Sequence, residues 1–241
     1  MVAAHLNEIT LCMAYYENPS MLAKQYLELS MLPATLKKQI RLIVVDDGSP
    51  EFPIVSPGDE CLKRMGLASV ALYRMDVDVR WNQDACRNLA VSQAETKWVL
   101  LTDIDHIVPV ATWRRIIFGR LSWKATYSFE RETGPTLSVR NPHPNSWLLR
   151  VETFDAMGGY DERFAGYYGT DGDFRRRLED ICKVERLPEK IHEVTPDMVV
   201  DCRTTTYERK TPEDRANIPK IARERGSARP LRGRFPWHRV A

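Results

Sequence analysis

The stretch WVLLTDIDHIVP, residues 98–109, decides how this chain reads. An apolar run that belongs in a core ends in Asp103, Asp105 and His106. A buried charge costs several kcal/mol unless it is paired or bound to a metal. The strand therefore either ends in solvent or ends where a cation is held. A second stretch, IRLIVVDDGSP at residues 40–50, has the same construction: branched apolar residues, then Asp46 and Asp47, then a Gly-Ser-Pro turn.

Outward from these two, strand and helix patterns alternate. EITLCMAYY (8–16) reads as a buried strand, and Asn18-Pro19-Ser20 opens a helix carrying Met21, Leu22, Tyr26, Leu27 and Leu29. Residues 51–60 are rich in Pro, Gly and acids and read as loop. ASVALYRM (68–75) is a third strand, NQDACRNLAVSQA (82–94) a helix, and KWVLLTDID (97–105) a fourth strand. TWRRIIFGRL (112–121) reads as a helix capped by Thr112, with Trp113, Ile116 and Ile117 inward. From residue 122 the pattern loosens: ATYSFERE and TLSVR suit strands, NSWLLRVETFDAMGGYD a strand and short helix, GTDGDFRRRLEDI a further helix. The alternation predicts an α/β fold with a mostly parallel sheet and helices on both faces. Ligands of such sheets bind beyond the carboxyl ends of the strands. Asp46, Asp47, Asp103 and Asp105 all fall there, so one crevice is expected to collect them.

Length and composition set bounds. At 241 residues the chain makes one large domain or two small ones, with 43% apolar and 28% charged residues as in ordinary soluble globular proteins. No run approaches the roughly 18 apolar residues of a membrane span. The first sixteen residues carry no readable secretory signal. Five cysteines, scattered and without C-x-x-C spacing, favour reduced thiols in a cytoplasm over a disulfide frame or zinc site. The net charge of +2 conceals an asymmetry: residues 203–241 hold eleven Lys or Arg against four Asp or Glu, so +7 sits on a −5 remainder. The expected division is a domain over 1–202, with a nucleotide half at about 1–105 and a second half at about 106–202, followed by a basic tail over 203–241. That tail, rich in proline, reads as a segment that packs as an extended tail or partly ordered arm. Its arginines interleave with Phe235 and Trp237, which suits a nucleic-acid backbone, an anionic membrane surface, or packing on the domain itself.

Four segments in order, ITLCMAYYENPSMLAKQ, LIVVDDGSP, ACRNLAVSQAETKWVLLTDIDHIVP and NSWLLRVETFDAMGGYDERFAGYYGTDGDFRRRL, together resemble a glycosyltransferase of the GT-A fold, close to family 2. The resemblance covers roughly residues 8–180. It implies that Ala14 and Tyr15 sit against the nucleotide base, that Asp47 with Asp46 binds base or ribose, and that Arg87 lies near the nucleotide. Asp103 would touch ribose or sugar, and Asp105 would hold a divalent metal, Mn²⁺ or Mg²⁺, bridging the donor diphosphate. Hard cations with carboxylate, phosphate and water ligands fit that role. His192, in EKIHEV, stands where related transferases often place a further metal ligand, and His106 beside the acidic pair is a second candidate. A structural histidine is the competing reading for both.

The same resemblance places a catalytic base on Asp171, in GYYGTDGDF. Where the family carries Glu, this chain has Thr170, which removes an expected contact to a sugar. The plain alternative is a helix start, with Thr170 as cap and Asp171 and Asp173 in the first turn. Thr170, Asp173 and Trp147 are the candidate acceptor contacts, the indole as a sugar platform or as core. Gly158, Gly159 and Gly166 suit tight turns nearby. The function so implied is an inverting, metal-dependent transfer from a nucleotide-sugar, a UDP-sugar by resemblance, to an acceptor hydroxyl on a glycan, a protein or a hydroxymethylated base in viral DNA. A sugar nucleotidyltransferase is disfavoured, because CMAYYENPS lacks the glycines of a phosphate loop. A non-catalytic nucleic-acid or nucleotide-sugar binding protein is the alternative from another class.

Overall fold

The computed structural model describes residues 6–203 and 211–241. Strands β1 (Ile9–Tyr15), β2 (Ile40–Asp46), β3 (Ser69–Met75) and β4 (Trp98–Asp103) run parallel, in the spatial order β3-β2-β1-β4. Their near-continuous apolar runs are what parallel strands covered on both faces require. Successive side chains point to opposite faces. Accordingly Ile9, Leu11, Met13 and Tyr15 join one buried cluster, and Cys12 and Ala14 the other.

Helices α1 (Pro19–Ser30), α2 (Ala34–Lys37), α3 (Asp59–Met65) and α5 (Val110–Phe118) cover the first face, through Met21, Leu22, Leu36, Met65, Trp113, Ile116 and Ile117. Helices α4 (Gln83–Ser92), α6 (Val151–Ala156) and α7 (Asp171–Ile181) cover the second, through Ala85, Leu89, Phe154, Phe174 and Leu178. Each of the larger aliphatic and phenyl side chains among them contributes about 1.5–3 kcal/mol on leaving water. The apolar spacing read from the sequence for α1, α4 and α5 is the spacing that faces the sheet, except that Leu27 of α1 is 42% exposed and Gln25 is buried in its place.

Past β4 the sheet becomes mixed. β8 (Trp147–Arg150) lies antiparallel to β4, β6 (Ala125–Thr133) antiparallel to β8, and β9 (Lys183–Glu193) parallel to β6. The short β5 (His106–Ile107) pairs with β9, and β7 (Ser138–Arg140) with β6. β5 brings the residues just after β4 across to the far side of the sheet, next to Glu193.

Three expectations are corrected. Within the stretch read as loop, α3 begins at Asp59; Asp59 and Glu60 in its first turn and Lys63 and Arg64 in its last suit the helix dipole. Thr112 caps nothing: it lies inside α5, and its hydroxyl donates to the Lys190 carbonyl at 2.6 Å, tying that helix to β9. The third correction concerns the tail.

Residues 211–241 pack on the domain, one of the readings open for the tail, but as ordered elements and not as an extended or partly ordered arm. Asp214–Arg225 form α8, and Trp237–Arg239 form β10, an antiparallel strand on the edge of β3. Arg225 pairs with Asp161 at 3.2 Å and Asp173 at 2.8 Å. The Leu231 amide donates to Asp161 at 3.1 Å and the Arg234 amide to Glu162 at 2.7 Å. Phe235 packs on the second cluster, and Trp237 meets Tyr73 edge-on at 5.5 Å. The boundary expected at residue 203 adjoins residues 204–210, which lie outside the described residues.

Candidate active site

The register of the parallel strands sets Ala14 beside Asp103 and Tyr15 beside Asp46, so the carboxyl ends of β1, β2 and β4 share one end of the sheet. The acids there divide into two groups. Asp46 is buried and fully engaged: Oδ1 accepts from the Ser49 amide at 2.8 Å and Oδ2 from the Ile54 amide at 2.9 Å. Asp47, also buried, accepts from the Asn82 amide at 3.2 Å at the head of α4. The Tyr15 hydroxyl donates to the Phe52 carbonyl at 2.5 Å, and Ala14 is buried in the core. Residues 14, 15, 46 and 47 are buried and shape the strand ends and the 48–54 loop; none of them lines the cavity that the second group opens into.

The second group opens into a cavity of about 390 Å³. Asp103 and Asp105 enter it from the end of β4, Asp171 from the first residue of α7, and Glu193 from the end of β9. Arg131, Arg203, His106, His143, Asn145 and Gln83 complete its polar wall, and Trp81 and Tyr168, edge-to-face at 4.8 Å, stand at its side. Four carboxylates in one cavity call for cations. Arg87 supplies one from inside α4: its guanidinium, 1% exposed, donates to Asp103 Oδ1. Its Cζ lies over the Tyr160 ring, 5.1 Å from the centroid.

Asp103 also faces His143 Nε2 at 3.4 Å and Asn145 Nδ2 at 3.5 Å. Burial alone would raise its carboxyl, but the Arg87 charge, helped by the histidines, holds it at about 2. His143, stacked on His106 at 3.9 Å, is pushed well below the usual imidazole range by burial and by that neighbour. Asp171 moves the other way. Burial raises its carboxyl above the usual range and the Asp103 charge adds to this, while Arg87 and a hydrogen bond from Asn145 oppose it. A carboxylate raised in this manner is a better proton acceptor than a free one.

Asp105 accepts from His106 Nδ1 at 2.7 Å through Oδ1, and its side chain is 16% exposed. Among the described residues no group of three or more His, Cys, Asp or Glu is arranged to hold a metal unaided. That donor set still fits Mg²⁺ or Mn²⁺, which is commonly bound by one or two carboxylates plus substrate phosphates and water. His192 does not join it. Its Nε2 bonds the Gly134 carbonyl at 3.0 Å, outside the cavity, whereas its neighbour Glu193 points in.

The acceptor contacts also change. Trp147 is core: it is 3% exposed and its indole N–H donates to the Pro144 carbonyl at 2.8 Å. Asp173 is buried among Arg177, Arg176 and Arg225 and does not line this cavity. Thr170 precedes α7, but its hydroxyl donates to Asp84 Oδ1 at 3.0 Å instead of capping the helix. The glycines do serve close turns. Gly159, at φ +68°, passes so near Asn88 and Phe154 that a β-carbon would sit 2.7 Å from each.

Residues the sequence reading missed are His143, Asn145, Arg131, Arg203 and Glu193. For Glu193 the signal was present in strand alternation, since it is the residue next to His192.

The strand order and the acids at the strand ends define a GT-A-like fold. Solved structures agree. The chain is similar to the crystal structure of S. aureus TarS residues 1–349, with TM-score 0.56 and 15% identity over 84% of this chain and 63% of that one. A complex of the same fragment with UDP-GlcNAc matches at TM-score 0.56 and 14% identity, over 78% and 58%. A longer TarS structure matches at TM-score 0.55 and 14% identity, over 92% and 44%. The chain thus spans less than two thirds of the length of each of these structures. No family model and no curated protein matches the sequence. Among the described residues, no helix is long and apolar enough to cross a membrane.

Proposed function

We propose that this chain is a glycosyltransferase that moves a sugar from a nucleotide-sugar, a UDP-sugar, to an acceptor hydroxyl with inversion. The observation that carries the reading is the meeting of Asp103 and Asp105, from the end of β4, with Asp171, from the start of α7, in one cavity of a GT-A-like fold. The UDP-GlcNAc bound to the TarS fragment supports the choice of donor.

Asp171 takes the acceptor proton. The oxygen then attacks the anomeric carbon from the face opposite the departing diphosphate, in a single displacement. Asn145 orients Asp171, and Arg87 keeps Asp103 ionised beside it. Asp105 would hold a divalent ion, whose chemistry is to neutralise charge developing on the leaving diphosphate. Burial of the cavity strengthens each of these charge interactions relative to water.

The acceptor is a hydroxyl compound whose identity the cavity leaves open. A hydroxymethylated base in DNA gains no support from the tail, because Arg225, Arg232 and Arg234 bond residues of the chain itself.

The test is release of UDP or another nucleoside diphosphate from a panel of nucleotide-sugars, with Mn²⁺, with Mg²⁺ and with EDTA. One donor should be hydrolysed slowly with water as acceptor. Asp171→Asn should still bind that donor but turn it over about 10²–10⁴-fold more slowly. A panel with no binding and no hydrolysis overturns the reading in favour of another function.

A further inference from the structure

Behind the cavity, α4 carries a buried acid that the mechanism above does not use. Asp84 is 3% exposed, in the first turn of the helix, and accepts from the Thr170 hydroxyl at 3.0 Å. One turn later on the same helix, Arg87 donates to Asp103. Residues three apart lie on one helical face. A single face of α4 thus reaches two places at once: the residue before Asp171, and the carboxylate at the end of β4. The next residue, Asn88, extends the same connection: it donates to the Tyr160 carbonyl at 2.9 Å and to Glu162 at 2.9 Å, and accepts from the Tyr160 amide at 2.9 Å.

The direction of the Thr170 hydroxyl is the informative detail. A threonine at a helix start ordinarily accepts from an amide two or three residues on. This one accepts no such bond and donates backward into the protein. An ordinary cap would stabilise α7 without regard to α4. A hydroxyl committed to Asp84 fixes the first turn of α7 against α4 instead.

We propose that Asp84 is a positioning residue: through Thr170 it sets where Asp171 stands, while Arg87 on the same helical face sets where Asp103 stands, so that α4 fixes the spacing between the base and the donor-side acid. The inference rests on the function proposed above for its kinetic consequence, but its structural content is independent of it. Small misplacement of a reacting group is costly in rate, about 10²-fold for 1 Å.

The experiment compares Thr170→Val, Thr170→Ser and Asp84→Ala with the wild-type full chain, using hydrolysis of the donor identified by the panel and amide hydrogen exchange. Thr170→Val conserves volume and removes only the donor. It should lower kcat roughly 10- to 100-fold with the donor KM within about twofold, and speed exchange at the amides of residues 171–174 while the other helices stay protected. Thr170→Ser keeps the hydroxyl and should recover most of that loss in both readouts. Asp84→Ala should behave as Thr170→Val; if it does not fold, the valine and serine pair decides. Wild-type kcat in Thr170→Val, or a loss shared equally by kcat and KM, overturns the proposal. So does exchange that is unchanged or raised uniformly along the chain. If the wild type hydrolyses no donor, the glycosyltransferase reading fails, and exchange at residues 171–174 alone upholds or overturns the tether.

Discussion

Arg87 reaches Asp103 from within a helix, with its guanidinium 1% exposed and its partner's carboxylate 20% exposed. The pair therefore joins a fully desolvated cation to an acid at the cavity wall. Removing one member of such a pair leaves an uncompensated charge, a loss of about 3–5 kcal/mol for fully buried pairs and less here, where Asp103 touches solvent. Arg87→Met should lower stability by about 2–3 kcal/mol on that basis. It should also release the Asp103 carboxyl upward from about 2. Because the folded value lies below the ordinary 3.8, Asp103 adds stability that is present above about pH 4 and lost as pH falls toward 2. Urea melts between pH 2 and 5 should show that loss in the wild type and a flattened profile in Arg87→Met. Identical profiles would mean that Arg87 does not hold Asp103.

Asp84 has the opposite sign. Burial pushes its carboxyl to about 7, against the favourable charge of Arg87, with Asp171 raising it further and Thr170 and Arg177 opposing. An acid raised in the fold gives stability that is complete below its ordinary 3.8 and lost as pH rises through about 7. The stability of the wild type relative to Asp84→Asn should therefore fall between about pH 4 and pH 7 and be level above that range. A difference that stays constant across these melts would show that Asp84 is ionised as readily in the fold as out of it.

The parallel half of the fold was legible because its signals are local. Runs such as LIVV and WVLL, short, rich in β-branched residues and bounded by turn residues, suit strands covered on both faces, and acids directly after them fall at the strand ends by chain connectivity. Asp103 and Asp105 were found on those grounds, Asp171 only through the family resemblance, and the three share the cavity. What failed depends on pairings across long sequence separations. Whether His192 or Glu193 enters the cavity is a question of parity, settled by β5 pairing His106 with Glu193. The loop after β7 brings His143 to Asp103 only because β8 lies next to β4. Charge count likewise announced a basic tail but could not show that Asp161 and Asp173, distant in sequence, were waiting for Arg225.

Asp105 and His106 make a separable prediction about metal. His106 Nδ1 on Asp105 fixes the orientation of the carboxylate, and its Nε2 is buried without a hydrogen-bond partner. Outer partners of a metal-binding carboxylate commonly matter about 10- to 100-fold in metal affinity. Titration calorimetry of UDP with Mn²⁺ should show metal-dependent binding in the wild type, a reduction of that order in His106→Ala, and none in Asp105→Ala. His192→Ala should leave binding unchanged, since that ring lies outside the cavity. Equal UDP binding in Mn²⁺ and in EDTA would remove the metal from the mechanism.

The last prediction concerns Arg225. Its side chain is 8% exposed and bonds Asp173, 3% exposed, through both nitrogens at 2.8 Å, with Asp161, fully buried, at 3.2 Å. One arginine from the tail thus bridges two buried acids, Asp173 in the first turn of α7, which it shares with Arg176 and Arg177, and Asp161 beside the 3₁₀ turn at Glu162–Phe164, which it shares with Arg163. Arg225→Met should cost about 1.5–3 kcal/mol in urea denaturation, because both carboxylates lose a desolvated partner while Arg163 and Arg177 stay beside them. Arg175 provides the contrast. Its pair with Glu179 is 59% and 45% exposed, and Arg175→Ala should cost no more than about 0.5 kcal/mol. Deleting residues 211–241 removes Arg225 and also uncovers the edge of β3, so the shortened chain should aggregate or melt far below the full one. If instead Arg225→Met melts like the wild type and the full chain binds duplex DNA with a steep salt dependence lost in that variant, the arginine faces a polyanion in solution and not the two acids.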